Sequence, residues 1–236
     1  MPWRVVDEMQ LTQEDITAIW LSLKIALTAT ALALPFGFAM AWLIVFKSFR
    51  GKIVLEVLIN LPLTLPPVVI GYFLLLLLGK NSWLGQLLKA SGLSVIFTWK
   101  AAVIASATVG FPLLVRSIRL GMEGIDLQLI EASRSLGASW FDSLLTVILP
   151  LSLRGIIAGS SLMFARSLGE FGATIIVAGN IPGVTQTIPL AIYDYASSPS
   201  SGTMALSLCV VSVIISVAVL LLHELLGRQL DRRGEQ

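Results

Sequence analysis

The sequence has few of the residues on which most enzymes and disulfide-rich proteins depend. Its 236 residues include one cysteine, Cys209, and one histidine, His223. A single cysteine cannot form a disulfide framework or a thiolate metal site. The sequence also contains neither H-E-x-x-H nor G-x-S-x-G, which mark metalloproteases and serine hydrolases. We therefore expect no metal and no bound cofactor, and we expect that the chain is not an enzyme by itself.

Charged residues are also scarce. They make up 13% of the sequence, against 56% hydrophobic residues, and the mean hydropathy is +0.89. A soluble globular domain of this size needs more polar sequence to cover its surface. The net charge of +2 is too small to favour binding to nucleic acid. The composition therefore predicts an integral membrane protein surrounded by lipid.

Five apolar stretches are each long enough to form a transmembrane helix, which takes roughly 20 residues. They cover about residues 16–46, 53–78, 95–118, 153–177 and 204–226. These stretches predict an all-α membrane protein with about five transmembrane helices in one domain, residues 1–236. A short amphipathic piece at Trp83–Leu93 leaves open a sixth membrane segment. The first 15 residues carry four acids and one arginine, unlike a cleavable signal, so we expect the N-terminus to be retained.

The basic residues predict the orientation, because loops on the cytoplasmic side carry an excess of lysine and arginine. Most of them lie at one set of span ends, whereas Arg4, Lys80 and Lys89 lie at the other. The larger set consists of Lys47, Arg50, Lys52, Arg116, Arg119, Arg134, Arg154, Arg228, Arg232 and Arg233. We therefore expect the N-terminus outside, the C-terminus inside, and the segment 126–150 in the cytoplasm.

The segment 126–150 is an amphipathic interlude between two membrane-length stretches. Asp126 is placed to cap a helix over 127–136, and Gly137 is placed to hinge it to a second helix. Ser139 and Asp142 have the spacing of a capping box, and Pro150 closes the run. Trp140, Leu144, Val147 and Ile148 recur on one face of the second helix. Such an element lies at the membrane surface or docks into a groove of a partner.

The motif of this segment resembles the EAA loop of bacterial ABC importer permeases. The matching residues are Glu131, Ala132, Ser133, Gly137, Ile148, Leu149 and Pro150. Ser133 departs from the pattern, since the family usually has a second alanine there. The resemblance implies a type I ABC importer permease fold, with a coupling helix that sits in a cleft of a separate ATPase. An ordinary amphipathic surface helix is the alternative interpretation.

Two spans carry residues that interrupt or crowd a helix. The second contains Pro62, Pro66 and Pro67, which have no backbone N–H and so leave carbonyl groups without a hydrogen-bond donor. At membrane depth such carbonyls are tolerated beside other protein or a water-filled cavity, so these prolines predict a position facing the interior. A simple packing kink is the alternative. The fourth span is rich in small residues and contains Arg166 and Glu170, which are four apart. They predict either an i,i+4 ion pair or a cavity that faces an anion.

Three further runs resemble the permeases of molybdate importers. They are Leu61–Tyr72, Phe164–Thr174 and Asn180–Pro189. Sulfate permeases share a closely similar Leu-Gly-Glu-Phe-Gly run, so sulfate, thiosulfate or tungstate are alternative substrates. A secondary transporter or channel that uses Arg166 and Glu170 as an ion relay is a more remote alternative, and the sequence shows no inverted repeat of the kind such transporters often carry.

The resemblance implies an inward oxyanion transporter of the bacterial inner membrane. It implies a homodimer that works with two ATPase subunits and a periplasmic or lipid-anchored binding protein. No G-x-x-x-x-G-K-[ST] motif occurs, so ATP and magnesium would be used by the partner subunit. The candidates for lining or gating the path are Pro62, Pro66, Pro67, Arg166, Ser167, Gly169, Glu170, Gly172 and Thr174.

Overall fold

The computed structural model describes residues 11–198 and 201–234, and all regular structure in these ranges is helical. The expectations about the first ten residues, including Arg4, lie outside them. The helices, in chain order, are α1 (Gln13–Phe46), α2 (Lys52–Thr64), α3 (Pro67–Leu78), α4 (Trp83–Ala90), α5 (Trp99–Glu123), α6 (Leu127–Ser135), α7 (Trp140–Leu151), α8 (Leu153–Leu168), α9 (Gly172–Val177), α10 (Ile188–Ala196) and α11 (Gly202–Gly234).

Helices α1, α5 and α11 are each long and apolar enough to cross a membrane. Two further pairs of helices are long and apolar enough when each pair is taken together, but each pair is bent. The bend is 115° between α2 and α3 and 64° between α7 and α8. If each bent pair counts as one span, the described residues contain up to five. The second pair begins at Trp140, so it includes part of the segment 126–150, whereas the sequence predicts a fourth span over 153–177. The bend between α2 and α3 lies at Pro66 and Pro67, which cannot donate backbone hydrogen bonds. Helix α4 has eight residues, too few to cross the bilayer.

The stretch predicted as one span over 153–177 is divided in the structure. Helix α8 ends at Leu168, and α9 begins at Gly172 after a three-residue break. The break has a local cause, because the Glu170 carboxylate accepts the backbone N–H of Ala173 at 2.8 Å, as a capping side chain does. The 16 residues of α8 span only about 24 Å.

The connection between α9 and α11 contains a further helix, α10. The backbone N–H of Ile188, at the start of α10, donates to the Ser22 hydroxyl of α1 at 2.8 Å. The Tyr195 hydroxyl donates to the Asp15 carboxylate at 3.0 Å, and Asp15 also completes a capping box with Thr12 at the start of α1. These bonds fix α10 against the first turns of α1.

The core lies where α1, α5 and α8 pack together, and small residues allow their close approach. A Cβ on Gly155 of α8 would lie 2.7 Å from the carbonyl oxygen of Ser117 on α5, so only glycine fits. The outer surface is apolar: Trp20 is 69% exposed and Ile214 is 61% exposed. This surface suits contact with lipid. Helix α2 contributes no buried residue and lies at the edge of the core.

Candidate functional site

The segment 126–150 folds as the sequence predicts at both ends of α6. The Asp126 carboxylate accepts the backbone N–H of Gln128 at 2.9 Å, which confirms the predicted cap. At the other end, the N–H of Ala138 donates to the Ser133 carbonyl and the N–H of Gly137 donates to the Arg134 carbonyl. These are the two bonds of a Schellman motif. Gly137 has φ +92°, a conformation that favours glycine.

Helix α7 begins at the predicted capping box. The backbone N–H of Asp142 donates to the Ser139 hydroxyl at 3.1 Å, and the N–H of Ser139 donates to the Asp142 carboxylate at 3.0 Å. Hydrogen bonds from the Ser139 side chain and backbone lower the pKa of Asp142 below its ordinary value. The helix passes through a π-helical turn over Leu144–Ile148 and ends at Leu151, one residue after Pro150.

The two short helices are joined by a pair of serine side chains. The hydroxyl oxygens of Ser133 on α6 and Ser143 on α7 lie 2.8 Å apart. Ser143 is 1% exposed, and the Ser133 hydroxyl also donates to the Ile130 carbonyl at 2.9 Å. The serine that departs from the family pattern thus makes the contact that holds α6 against α7. We name residues 126–151 the coupling unit.

The coupling unit is fixed to the core on one side. Ile148 is 2% exposed. The Trp140 ring packs edge-on against the Trp42 ring of α1, with 4.8 Å between ring centroids. The unit is therefore packed against the end of α1.

The opposite side of the coupling unit is exposed and carries large apolar side chains. Leu136 is 90% exposed and Phe141 is 61% exposed, and they flank the turn at Gly137. Glu131 and Ala132 are also exposed. Sequence reasoning missed Leu136 and Phe141, although two large apolar residues around a predicted turn are a usable signal. Such a surface is suited to a groove in another protein.

The second group of candidate residues lies where the two helix breaks meet. A Cβ on Gly172, at the start of α9, would lie 3.0 Å from the Cβ of Pro67, at the start of α3. One turn further, a Cβ on Gly71 would lie 2.8 Å from the carbonyl oxygen of Ala173. The structure therefore brings together two breaks that are a hundred residues apart in sequence. We name this region the paired breaks.

Arg166 and Glu170 form the predicted ion pair, with 2.8 Å between guanidinium nitrogen and carboxylate oxygen. The Glu170 side chain is 1% exposed and that of Arg166 is 30% exposed. Glu170 is therefore used twice, as the partner of Arg166 and as the cap of α9. This arrangement holds the break in place and leaves the carboxylate no contact with solvent.

The remaining candidates separate into two groups. Ser167 and Thr174 are buried inside the subunit, at 5% and 1% exposure. Pro66 and Gly169 are exposed at the breaks, and Pro62 is half-buried.

In the part of the chain that the structure describes, no three His, Cys, Asp or Glu side chains come together as metal ligands do.

Comparison with known proteins gives a consistent family signal. Residues 33–232 match the model of the family described as "Binding-protein-dependent transport system inner membrane component". The chain is 48% identical over 220 residues to the molybdenum transport system permease protein ModB of Haemophilus influenzae, covering 93% of this chain and 96% of that protein. It is 37% identical over 215 residues to the sulfate transport system permease protein CysW of Synechococcus elongatus, covering 90% and 75% respectively.

Solved structures show the same fold at low sequence identity. The inward-facing MetNI methionine ABC transporter aligns with a TM-score of 0.72 at 16% identity, covering 91% of this chain and 95% of that chain. A bacterial alginate ABC transporter, in complex with its alginate-bound periplasmic protein, aligns with a TM-score of 0.76 at 14% identity, covering 97% and 83% respectively. The architecture is therefore that of a type I ABC importer permease.

Proposed function

The chain belongs to the family of inner membrane components of binding-protein-dependent transport systems, and on that premise we propose that it carries molybdate into the cell. It is the membrane-spanning permease subunit of an ABC importer, and ATP hydrolysis on a separate subunit drives the transport. The observation that carries the choice of anion is the higher identity to a molybdate permease, 48%, than to a sulfate permease, 37%. Sulfate, thiosulfate and tungstate are the alternatives to test.

The exposed side of the coupling unit supports docking to an ATPase. Leu136 and Phe141 insert into a cleft of that subunit, while Glu131, Ala132 and Gly137 shape the end of α6. Ser133 joins α6 to α7, and Ile148, Leu149 and Pro150 connect α7 to the core. ATP and magnesium are bound by the ATPase, and this chain supplies no catalytic group. Closure of two ATPase subunits then moves two coupling units toward each other.

The paired breaks are the proposed gate of the path. Two copies of the chain form a homodimer, and the path runs between them. Pro62, Pro66, Pro67, Gly169 and Gly172 are placed where a half-helix can change direction, and the exposed Pro66 and Gly169 border the path. Arg166, Ser167, Glu170 and Thr174 support the gate from inside the subunit. The anion is selected mainly by the periplasmic or lipid-anchored binding protein, since a permease that held it tightly could not release it.

The proposed orientation places the N-terminus outside and the C-terminus in the cytoplasm of an inner membrane. The cytoplasmic excess of lysine and arginine supports it, and it puts the coupling unit where an ATPase can reach it.

Uptake into proteoliposomes tests the proposal directly. The vesicle membrane holds the chain with its ATPase, and ATP is inside. The binding protein, labelled molybdate and a large excess of sulfate are outside. We expect uptake that needs ATP and survives the sulfate. Uptake abolished by sulfate would assign a sulfate-type importer, and uptake without ATP would assign a secondary transporter or channel.

Co-purification of the ATPase tests the coupling unit separately. Leu136→Asp places a charge at the centre of the exposed apolar surface, and we expect the ATPase to be lost from the purified complex. Gln128→Asp adds the same charge to the first turn of the same helix, where a negative charge is tolerated, and should keep the ATPase. Equal retention by both variants would remove Leu136 from the docking surface.

A further inference from the structure

A groove runs along the surface between α1, α2 and α5, and its two sections differ in polarity. The apolar section has a volume of about 520 Å³ and is lined by side chains that include Phe36, Pro62, Ala107 and Phe111. The charged section has a volume of about 420 Å³ and is lined by charged side chains from α2 and α5. Ile59 lines both sections, so they form one continuous groove.

The charged section contains two arginines and two glutamates. Arg119 pairs with Glu123 at 2.7 Å and with Glu56 at 3.3 Å, so its guanidinium group is already engaged. Arg116 lines the same section, and it makes no ion pair or hydrogen bond with any residue in the described ranges. The section therefore offers one guanidinium group to a ligand.

The groove is open at the surface of the subunit. Leu32 and Leu58, which border its apolar section, are 59% and 58% exposed. Its charged section lies near the end of α5 that leads into the coupling unit, and is cytoplasmic in the orientation proposed above. The groove thus becomes polar at the level of the lipid headgroups and is apolar deeper in the membrane.

We propose that this groove binds a glycerophospholipid of the cytoplasmic leaflet, with its phosphate on Arg116 and an acyl chain in the apolar section. Guanidinium groups bind phosphate with two parallel hydrogen bonds, and Arg116 is the arginine of this section that no carboxylate in the described ranges engages. A transported oxyanion would leave the apolar section empty. For a second copy of the chain to fill the groove, it would have to place an anionic side chain in the charged section and an apolar segment in the apolar section.

The bound lipid would complete the attachment of α2. That helix has no buried residue, and the pair between Arg119 and Glu56 is a partly exposed ion pair that contributes little by itself. Because α2 continues through Pro66 into the paired breaks, occupancy of the groove would stabilise the bent span that carries the proposed gate.

Native mass spectrometry of the purified chain, released from detergent under mild activation, counts retained phospholipid. We expect one tightly held phospholipid per subunit in the unmodified protein. Arg116→Gln removes the phosphate ligand and Ala107→Phe fills the apolar section, and each should reduce the retained lipid at least tenfold. Arg50→Gln removes an exposed cytoplasmic arginine outside the groove and should leave retention unchanged. The unfolding midpoint of each variant in detergent shows whether it is folded.

The alternatives give different results in the same experiment. Equal retention by the unmodified protein and both folded groove variants would overturn the proposal. A second outcome is that lipid retention is unchanged in Arg116→Gln, while added molybdate shifts the unfolding midpoint of the unmodified protein but not of this variant. That outcome would assign Arg116 to the transported anion. Loss of the dimer without loss of lipid in Ala107→Phe would assign the groove to a second copy.

Discussion

The coupling unit and the paired breaks are held together by different kinds of contact. The helix starts of the coupling unit are fixed by bonds between residues that are close in sequence, between Asp126 and Gln128 and between Ser139 and Asp142. The paired breaks depend on contacts between distant residues, such as Gly71 and Ala173. The first exposes large apolar side chains at the surface of the subunit, whereas the second buries a carboxylate. The ends of the two short helices can therefore be formed locally, but the bend between α2 and α3 is packed against a second helix, α9.

The two regions should also differ in their sensitivity to substitution. A lost hydrogen bond at the surface is replaced by water, so its net contribution is small. A charge left without its partner inside the subunit has no such replacement. The predictions below test this difference, beginning with the largest expected effect.

Arg166→Gln should cause the largest loss of stability. It leaves the buried Glu170 carboxylate without a cation, and removal of one partner from a buried pair costs about 3 kcal/mol. We expect a large fall in the unfolding midpoint of the purified protein in detergent. The double variant Arg166→Gln/Glu170→Gln removes both charges and should recover part of that loss.

Arg119→Gln is the matched control for this prediction. Arg119 also holds a carboxylate at i+4, but its side chain is 34% exposed and that of Glu123 is 43% exposed. Solvent screens such a pair, so its loss should cost about 1 kcal/mol or less. If the two arginine variants unfold at the same temperature, the paired breaks are not the more sensitive region.

Gly71→Ala should have the next largest effect. The added methyl group would lie 2.8 Å from the carbonyl oxygen and 2.9 Å from the Cα of Ala173, so α3 and α9 must move apart. Overpacking of this kind costs about 1–3 kcal/mol. Gly169→Ala is the comparison, because nothing lies within 4 Å of its Cβ position. An equal loss of stability in both variants would show that the contact between α3 and α9 does not support the break.

The same difference explains which parts of the structure the sequence could predict. The caps at Asp126 and Ser139, the turn at Gly137 and the ion pair of Arg166 with Glu170 all connect residues within four or five positions. Residue type and spacing are enough to find them. The contact of Pro67 with Gly172 depends on how whole helices pack, and no local pattern encodes it.

The division of the span predicted over 153–177 shows how the local and distant effects combine. The spacing of Arg166 and Glu170 predicts either an ion pair or a cavity that faces an anion, and the structure has the ion pair. The second bond of Glu170, to the backbone of Ala173, ends α8 and starts α9. A hydrophobicity pattern cannot show such a break, because the residues on both sides of it remain apolar or small.

Ser133→Ala should have a small effect, confined to the coupling unit. It removes the hydrogen bonds to Ser143 and to the Ile130 carbonyl, and each hydrogen bond contributes about 1 kcal/mol net. We expect faster amide hydrogen exchange in α6 and α7, with α8 and α9 unchanged. Because Ser143 is buried beside it, Ser143→Ala should give a similar change, and the double variant should add little to either single variant. Additive effects of the two substitutions would show that the hydroxyl groups do not act as a pair.

Asp142→Asn should have the smallest effect, and one that depends on pH. The pKa of Asp142 is lowered by its hydrogen bonds with Ser139, so the carboxylate stabilises the start of α7 above the pKa of the unfolded chain. That contribution is lost as the pH falls through the lowered, folded-state pKa, below about pH 4. Amide exchange of a peptide covering 139–151 measures it. As the pH is lowered, the protection of these amides in the unmodified protein should decrease relative to that in Asp142→Asn, which has no charge to lose. Parallel profiles would mean that the capping box does not depend on the ionised carboxylate, and that even this exposed end of the coupling unit is held by its packing against Trp42.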